Sequence, residues 1–478
     1  GCPFSCTFCV WGIAALNKLK RFGMERIVGD LEYVARSGRR FPQIVFADAN
    51  FGILKRDVDI ARTVRDLYEE TGAFSAVEIY WSKSAQDHMV DIGRILGKLT
   101  HTYIAFQSLD DDVLSAIERK NISTEKLVGL IDRLRGYTHS TRTDILVGLP
   151  GETFESHLRT LDKTLAYGIN FILGGEIRLL PGSEMESDAH RERFGIRAKY
   201  RFYEGGAGVY RGELVYELEE VIRQTVTMSE EEMISLRVLR ALFFASVTLT
   251  EHRPIIAVLA QKGVRITELF RQLVELGRDD PAFSGVLEWL FRQAREEWFI
   301  SPAEAAEFVR DETNRADLFN ERAFAKLNFG ILARLLLNDD EYEAYYRLIG
   351  RILGELLPDV PPATVAELLI LCRERNYIRK LIRGDARAEA RIEMSPATLG
   401  LLREGGYLRP DHSAFRDGVL DVALDDVTRR GIAEAFEPHR GRVSNFALSQ
   451  IMQSFIGRLH MDPRQDDAEK TIRAGAAA

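Results

Sequence analysis

The sequence predicts an α/β protein, a partial βα (TIM-like) barrel lacking its first strand and followed by a mainly α-helical C-terminal domain. Three observations predict it. Short β-branched runs alternate with one-faced helical stretches from residue 43 to about residue 182, the pattern of parallel βα units. Beyond residue 229 that alternation gives way to amphipathic helix with turns at Pro281, Pro302, Pro358, Pro361-Pro362 and Gly405-Gly406. At 478 residues the chain has room for two or three domains, each with ample core.

The candidate strands, in order, are 44–47, 76–81, 102–106, 144–147 and part of 169–180. Between them Val113-Leu114-Ile117 and Leu127-Leu130-Ile131-Leu134 each place apolar residues on one helical face. Five such units suggest a partial barrel, whose chemistry sits at the C-terminal strand ends. Residues 197–219 mix aromatic and basic side chains around Gly205-Gly206-Ala207-Gly208 and read as a hairpin leaving the barrel. Ser229 with Glu232 three residues on forms a capping box that opens the helical part. The expected division is therefore 1–195 for the barrel, 196–228 for the connecting hairpin, 229–460 for the helical domain and 461–478 for a loose tail.

Composition narrows the function class. Hydrophobic residues at 46% and charged residues at 28% give an ordinary globular balance, which excludes a disordered chain. A formal charge of −8 argues against a dedicated nucleic-acid binder. The longest apolar runs, such as 241–249, stop short of the roughly 18 residues a membrane span needs, and no basic-then-apolar leader opens the chain. The expected compartment is the cytoplasm. The first residue, Gly1, reads as the start of a piece cut from something longer.

Cysteine usage carries the chemistry. Three of the four cysteines, Cys2, Cys6 and Cys9, fall within eight residues. A disulfide framework would want an even set in a small secreted chain, so metal or redox chemistry is indicated. Thiolates are soft ligands for zinc or iron–sulfur centres, and zinc would want a second Cys pair or histidines that this chain does not space suitably. A third reading takes positions 2, 6 and 9 as a helical stripe of small buried hydrophobes, against which Pro3 counts because it fits only a first turn. Cys372, inside Leu369-Ile370-Leu371-Cys372, reads as a buried inert thiol.

Read in place, Gly1-Cys2-Pro3-Phe4-Ser5-Cys6-Thr7-Phe8-Cys9 has the spacing C-x3-C-x2-C and resembles the cluster loop of the radical S-adenosylmethionine (SAM) superfamily. The resemblance implies that Cys2, Cys6 and Cys9 hold three irons of a [4Fe–4S] cluster, the fourth being open to the amino and carboxylate groups of SAM. It places Phe8 near the adenine and has Pro3 and Phe4 shield the cluster. It also implies a six-stranded partial barrel whose first strand leads into the cysteine loop, so an upstream segment is expected to supply that strand.

Further strand ends extend the resemblance. Asp48-Ala49-Asn50 stands where the family often has Gly-Gly-Glu at the second strand, which makes Asp48 and Asn50 candidates for contact with SAM. Gly174-Gly175-Glu176 spells that tripeptide on the wrong unit; Glu176 and Arg178 share one face there and either touch substrate or form a salt bridge. Ser82 and Lys83, closing the second candidate strand, are candidates for the ribose or carboxylate of SAM. Phe106-Gln107-Ser108-Leu109 with Arg119-Lys120-Asn121 resembles the subgroup holding methylthiotransferases and cobalamin-linked enzymes, and makes Gln107 a candidate. Val147-Gly148-Leu149-Pro150-Gly151-Glu152 resembles the same subgroup's fifth-strand end, with Gly148 packing near the adenine. Asp110, Asp111 and Asp112 read as negative charge at a helix N-terminus. The set Tyr200, Arg201, Phe202, Tyr203, Tyr210 and Arg211 reads as a two-faced hairpin in preference to a nucleotide-stacking surface.

The function so implied is reductive cleavage of SAM to start radical chemistry, whether methyl transfer, cyclisation or rearrangement, with an electron donor such as flavodoxin or ferredoxin. Cobalamin would join if a corrinoid-binding domain preceded Gly1. The competing reading is a non-catalytic scaffold with a structural iron–sulfur or zinc site.

Overall fold

The computed structural model describes residues 1–423 apart from 13–16, 42, 84–86, 135–136, 139–140, 170, 249–251, 320–326, 386–388, 408–414 and 417–418, together with 429 and 432. The expected tail, 461–478, lies outside the described residues. The chain divides into two units, the first made of Gly1–Arg201, Glu217–Met233 and Phe299–Ala305, the second of the remainder.

In the first unit helices and short parallel strands alternate. They run α1 (Met24–Ala35), β1 (Ile44–Val45), α2 (Asp57–Thr71), β2 (Val77–Glu78), α3 (Asp87–Leu96), β3 (Thr102–Tyr103), α4 (Asp111–Ala116), α5 (Thr124–Leu134), β4 (Thr141–Asp144), α6 (Phe154–Ala166) and β5 (Phe171–Leu173). β1 pairs with β2, Ile44 opposite Val77. β3, β4 and β5 form a second parallel sheet in that order, with Thr102 opposite Thr141 and Arg142 opposite Phe171. Single parallel bridges carry the strands on towards their C-terminal ends, Phe51 opposite Trp81, Gln107 opposite Ile145 and Val147 opposite Glu176.

β4 begins earlier than expected. Its regular part is Thr141–Asp144, whereas the sequence reading starts a strand at residue 144. The reason is that its polar residues find partners on neighbouring strands of both parallel sheets. Thr143 is fully buried and donates its hydroxyl to the Ile104 carbonyl at 2.7 Å, and Arg142 pairs with Glu78 at 3.0 Å. A search for apolar alternation passes over such a strand. Burial raises the Glu78 pKa, against the pull of Arg142.

One glycine controls the approach of β5 to β4. Gly174 has φ +102°, and a Cβ there would lie 2.2 Å from the Ile145 carbonyl oxygen. Gly174→Ala is expected to cost roughly 2–4 kcal/mol. Gly175→Ala, whose Cβ would meet nothing within 4 Å, is the control. A denaturant midpoint lowered only by the first substitution is the expected result.

Beyond β5 the direction reverses, with Arg178 bridged antiparallel to Val221. The expected hairpin is β6 (Arg197–Tyr210) with β7 (Glu213–Gln224). Its reversal is made by Arg211 and Gly212, at φ +52° and +84°, the left-handed pair of a two-residue hairpin turn, and the glycine run lies inside β6. The capping box at the start of the next helix, α7 (Glu230–Phe243), forms as expected: the Ser229 amide donates to Glu232 at 2.8 Å and the Glu232 amide donates to Ser229 Oγ at 3.3 Å.

The second unit is mainly helical, with helices from Arg253–Gln261 to Pro396–Glu404 burying residues such as Phe270, Leu290, Ile349, Ile352 and Leu368. Cys372 is fully buried in the helix Pro362–Glu374. This unit also contains a sheet the sequence reading treats as helix. Val419–Ala423 pairs antiparallel with Glu389–Glu393 on one side and Phe415–Arg416 on the other. Leu420 and Val422 turn inward by period-two alternation, a signal only a few residues long. Among the described residues no helix is long and apolar enough to cross a membrane.

Candidate cofactor site

The cysteine loop folds back on itself. The Cys2 amide donates to the Trp11 carbonyl at 3.2 Å and the Cys9 amide to the Cys6 carbonyl at 3.0 Å. Gly12 passes so close to Phe4 that a Cβ would lie 1.8 Å from its carbonyl oxygen. Two further bonds tie the loop down: the Thr7 amide donates to Ile117 O at the end of α4 at 3.2 Å, and the Met185 amide donates to Thr7 O at 3.0 Å.

Cys2 and Cys6 are buried and Cys9 is half-buried. Burial pushes the Cys9 thiol above its ordinary value, opposed by the Trp11 backbone and the Lys83 charge and reinforced by Cys6 and Cys2. The three thiols thus lie within electrostatic reach of one another. Among the described residues no three His, Cys, Asp or Glu side chains already close on one point as a metal cage. The donor set nevertheless has the chemistry of a cluster loop, with three soft ligands on one tied turn and two cations beside one of them. Lys83 Nζ donates to Cys6 Sγ at 3.4 Å, and Arg119 approaches the same sulfur at 3.8 Å. Phe8 is half-buried next to Cys9 in the chain.

The strand ends supply polar groups in several states. At the end of β1, Asp48 is exposed and accepts the Asn50 amide at 2.9 Å, which closes the turn. Asn50 is fully buried, and among the described residues neither its side-chain oxygen nor its nitrogen has a hydrogen-bond partner. At the end of β2, Ser82 is buried and its amide donates to the Phe51 carbonyl at 2.9 Å. Lys83 then leaves the strand and lays its ammonium over the Phe4 ring, 4.9 Å from the centroid.

Gln107 is the centre of a strained turn. Its φ is +66°, unusual for a residue with a side chain, and the Ser108 amide donates to the Phe106 carbonyl across it at 2.7 Å. Asn121 holds that turn by donating to Phe106 O at 3.1 Å and Ser108 O at 2.9 Å. Arg119 holds Asn121 through its Nε at 2.9 Å and also donates to the Ala105 carbonyl. Burial lowers the Arg119 pKa, opposed by Cys6. The Gln107 Oε1 atom is buried without a partner among the described residues.

Gly148, at φ +85°, is fixed by a buried carboxylate. Its amide donates to Glu152 Oε2 at 2.8 Å, the other Glu152 oxygen meets His157 Nδ1 at 2.9 Å, and the Glu152 carbonyl accepts the Thr227 hydroxyl at 2.6 Å. Glu152 and His157 are both fully buried.

Two expectations resolve in favour of structural roles. Glu176 lies 3.8 Å from Arg201 and from Arg223, while Arg178 pairs with Glu219, so both take part in a cross-strand ion network. Asp110 caps α4, accepting the amides of Asp112 and Val113 at 3.2 and 3.3 Å, with Asp111 and Asp112 in the first turn. On β6, Phe202 is 4% exposed and its neighbour Tyr203 44%, the alternation of a two-faced strand.

Lys83, a candidate from sequence for the ribose or carboxylate of SAM, turns instead to Cys6 and Phe4, and the roles of Arg119, Asn121, Glu152 and His157 carry no assignment from sequence. Their available signal was position alone, just after a strand end or in the runs Arg119-Lys120-Asn121 and Gly148 to His157.

The model of the radical SAM superfamily matches residues 1–164. The chain is 34% identical over 201 residues to the cobalamin-dependent radical SAM methyltransferase TokK of Streptomyces tokunonensis, covering 41% of this chain and 29% of that protein. It is 32% identical over 239 residues to 2-(S-pantetheinyl)-carbapenam-3-carboxylate methyltransferase of Streptantibioticus cattleyicolor, covering 49% of this chain and 34% of that protein. The chain therefore spans about a third of the length of these relatives. Among solved structures, the radical SAM methyltransferase TsrM of Kitasatospora setae, with cobalamin and a [4Fe–4S] cluster bound, aligns at a TM-score of 0.34 and 18% identity over 39% of this chain and 34% of that one.

Proposed function

We propose that this chain, whose residues 1–164 match the radical SAM superfamily, binds a [4Fe–4S] cluster through Cys2, Cys6 and Cys9 and cleaves SAM reductively to start a methyl transfer. The tied loop of three thiols is the observation that carries this reading. When bound, such a cluster supplies one electron to SAM, yielding methionine and a deoxyadenosyl radical that takes hydrogen from substrate. The remaining work falls to the residues of this chain.

We assign the SAM pocket to the C-terminal strand ends of a partial barrel. Asn50 and Gln107 support that assignment, because a buried polar atom without a partner costs about 1–3 kcal/mol unless a ligand satisfies it. Asn50 offers both a donor and an acceptor, and Gln107 an acceptor. Gly148, held by Glu152 and packed at its α-carbon against Met233 and Ile222, is assigned through its backbone to the adenine, together with Phe8. Asp48 and Ser82 complete the set at neighbouring strand ends. Methyl transfer and cobalamin use are taken from the two methyltransferase relatives, one of them named as cobalamin-dependent. A low-potential donor of the flavodoxin or ferredoxin class would deliver the electron.

The test is anaerobic reconstitution with iron and sulfide, addition of dithionite and SAM, and detection of methionine and 5′-deoxyadenosine by mass spectrometry. Both products are expected. A protein that retains iron and sulfide yet forms neither, or one that takes up zinc in place of iron, overturns the proposal.

A further inference from the structure

We propose that Lys83 raises the reduction potential of the cluster through the Cys6 thiolate, and so helps to decide whether a biological one-electron donor can reduce it. The inference rests on the cluster reading above. Lys83 follows Ser82, whose amide is held on the Phe51 carbonyl at 2.9 Å, so the backbone that launches the lysine is fixed by the strand pairing. Its ammonium then reaches Cys6 Sγ at 3.4 Å and covers the Phe4 ring at 4.9 Å. Among the described residues no carboxylate pairs with Lys83, and its charge is directed at the sulfur and the ring. Cys6 is buried, at 5% exposure, so salt screens this contact less than it would a surface pair.

The consequence follows from charge. Reduction adds one electron, from dithionite in the assay below, to a cluster that its thiolates already make negative. No bond forms or breaks, and Lys83 keeps its proton. A cation donating a hydrogen bond to a ligand sulfur stabilises the reduced state more than the oxidised one, which moves the potential upward. Arg119 lies on the same sulfur at 3.8 Å but is also committed to Asn121 and Ala105, leaving Lys83 as the cation whose other contact is an aromatic ring. Lys83 is a positioning residue, since it acts through Cys6 and not on substrate.

The experiment is a redox titration followed by electron paramagnetic resonance on reconstituted wild type, Lys83→Gln and Lys83→Arg, each with matched iron and sulfide content. At the potential that leaves half of the wild-type cluster reduced, Lys83→Gln is expected to show about a tenfold lower ratio of reduced to oxidised cluster, equivalent to about 59 mV for one electron. Lys83→Arg, which keeps the charge, is expected to titrate near wild type. Should Lys83→Gln assemble no cluster, Lys83→Met, which keeps an apolar stem against Phe4, takes its place. A neutral variant titrating at the wild-type potential overturns the proposal, as does an equal shift in Lys83→Arg, which would trace the effect to packing. Failure of wild type itself to assemble a cluster defeats the functional reading, and this inference with it, and is distinguished by the absence of any signal to titrate.

Discussion

Cys6→Ala is expected to leave a folded chain that binds no cluster, with iron and acid-labile sulfide falling to background after reconstitution and SAM cleavage lost with them. Cys2→Ala and Cys9→Ala should behave alike, because a site-differentiated cluster needs every one of its three thiolates. The loop itself should survive, since the backbone bonds from Thr7 to Ile117 and from Met185 to Thr7 do not use the sulfur. Cys372→Ala is the control, as that thiol is fully buried in a helix of the other unit. Metal analysis of the four variants checks this. Full iron content in Cys6→Ala would remove the thiol loop from the account.

The second large effect concerns stability in the helical unit. His252 is buried among aromatic rings, edge-on to Tyr345 at 5.5 Å and stacked on Tyr346 at 5.3 Å. Among the described residues neither of its ring nitrogens has a well-formed hydrogen bond. Burial drives its pKa down to about 3, against a weaker opposing pull from the Ser246 backbone. The unfolded chain takes up a proton near pH 6.5 while the folded one stays neutral, so stability is fully present above about pH 6.5 and lost as pH falls towards 3. By pH 5 the loss from this residue is about 2 kcal/mol. His252→Phe should remove that slope and, by replacing two buried polar atoms that lack well-formed partners with an apolar ring, stabilise the unit at neutral pH. Denaturant midpoints at pH 7.5 and pH 5 check it, and parallel losses in wild type and variant would contradict it.

Much of the first unit was legible because its signals are local. The alternation that locates β1, β2 and β3, the one-faced helices α4 and α5, and the Ser229 capping box each lie within one stretch of chain. So does the spacing of Cys2, Cys6 and Cys9. Where the reading fell short, meaning came from partners distant in sequence. Thr141–Asp144 is a polar strand whose Arg142 and Thr143 find their partners in Glu78 and Ile104. Lys83 and Arg119 gain their significance from a sulfur 77 and 113 residues away. Glu152 reads as the end of a turn until the Gly148 amide and His157 are seen on its two oxygens. The small sheet around Val419–Ala423 escaped because its alternation is too short to stand out from helix.

These limits also explain why reaction class is more legible than substrate. The proposed cofactor ligands fall within one nine-residue loop, whereas the proposed pocket draws on strand ends far apart in the chain. Asn50 and Gln107 mark where a ligand would be welcome without specifying what the radical acts upon.

The most direct test of the central claim is electron paramagnetic resonance of the anaerobically reconstituted, reduced protein without and with SAM. The account predicts a cluster signal whose spectrum shifts when SAM is added, because one iron is open to it. A cluster signal indifferent to SAM, or no cluster signal with zinc bound in its place, would contradict it.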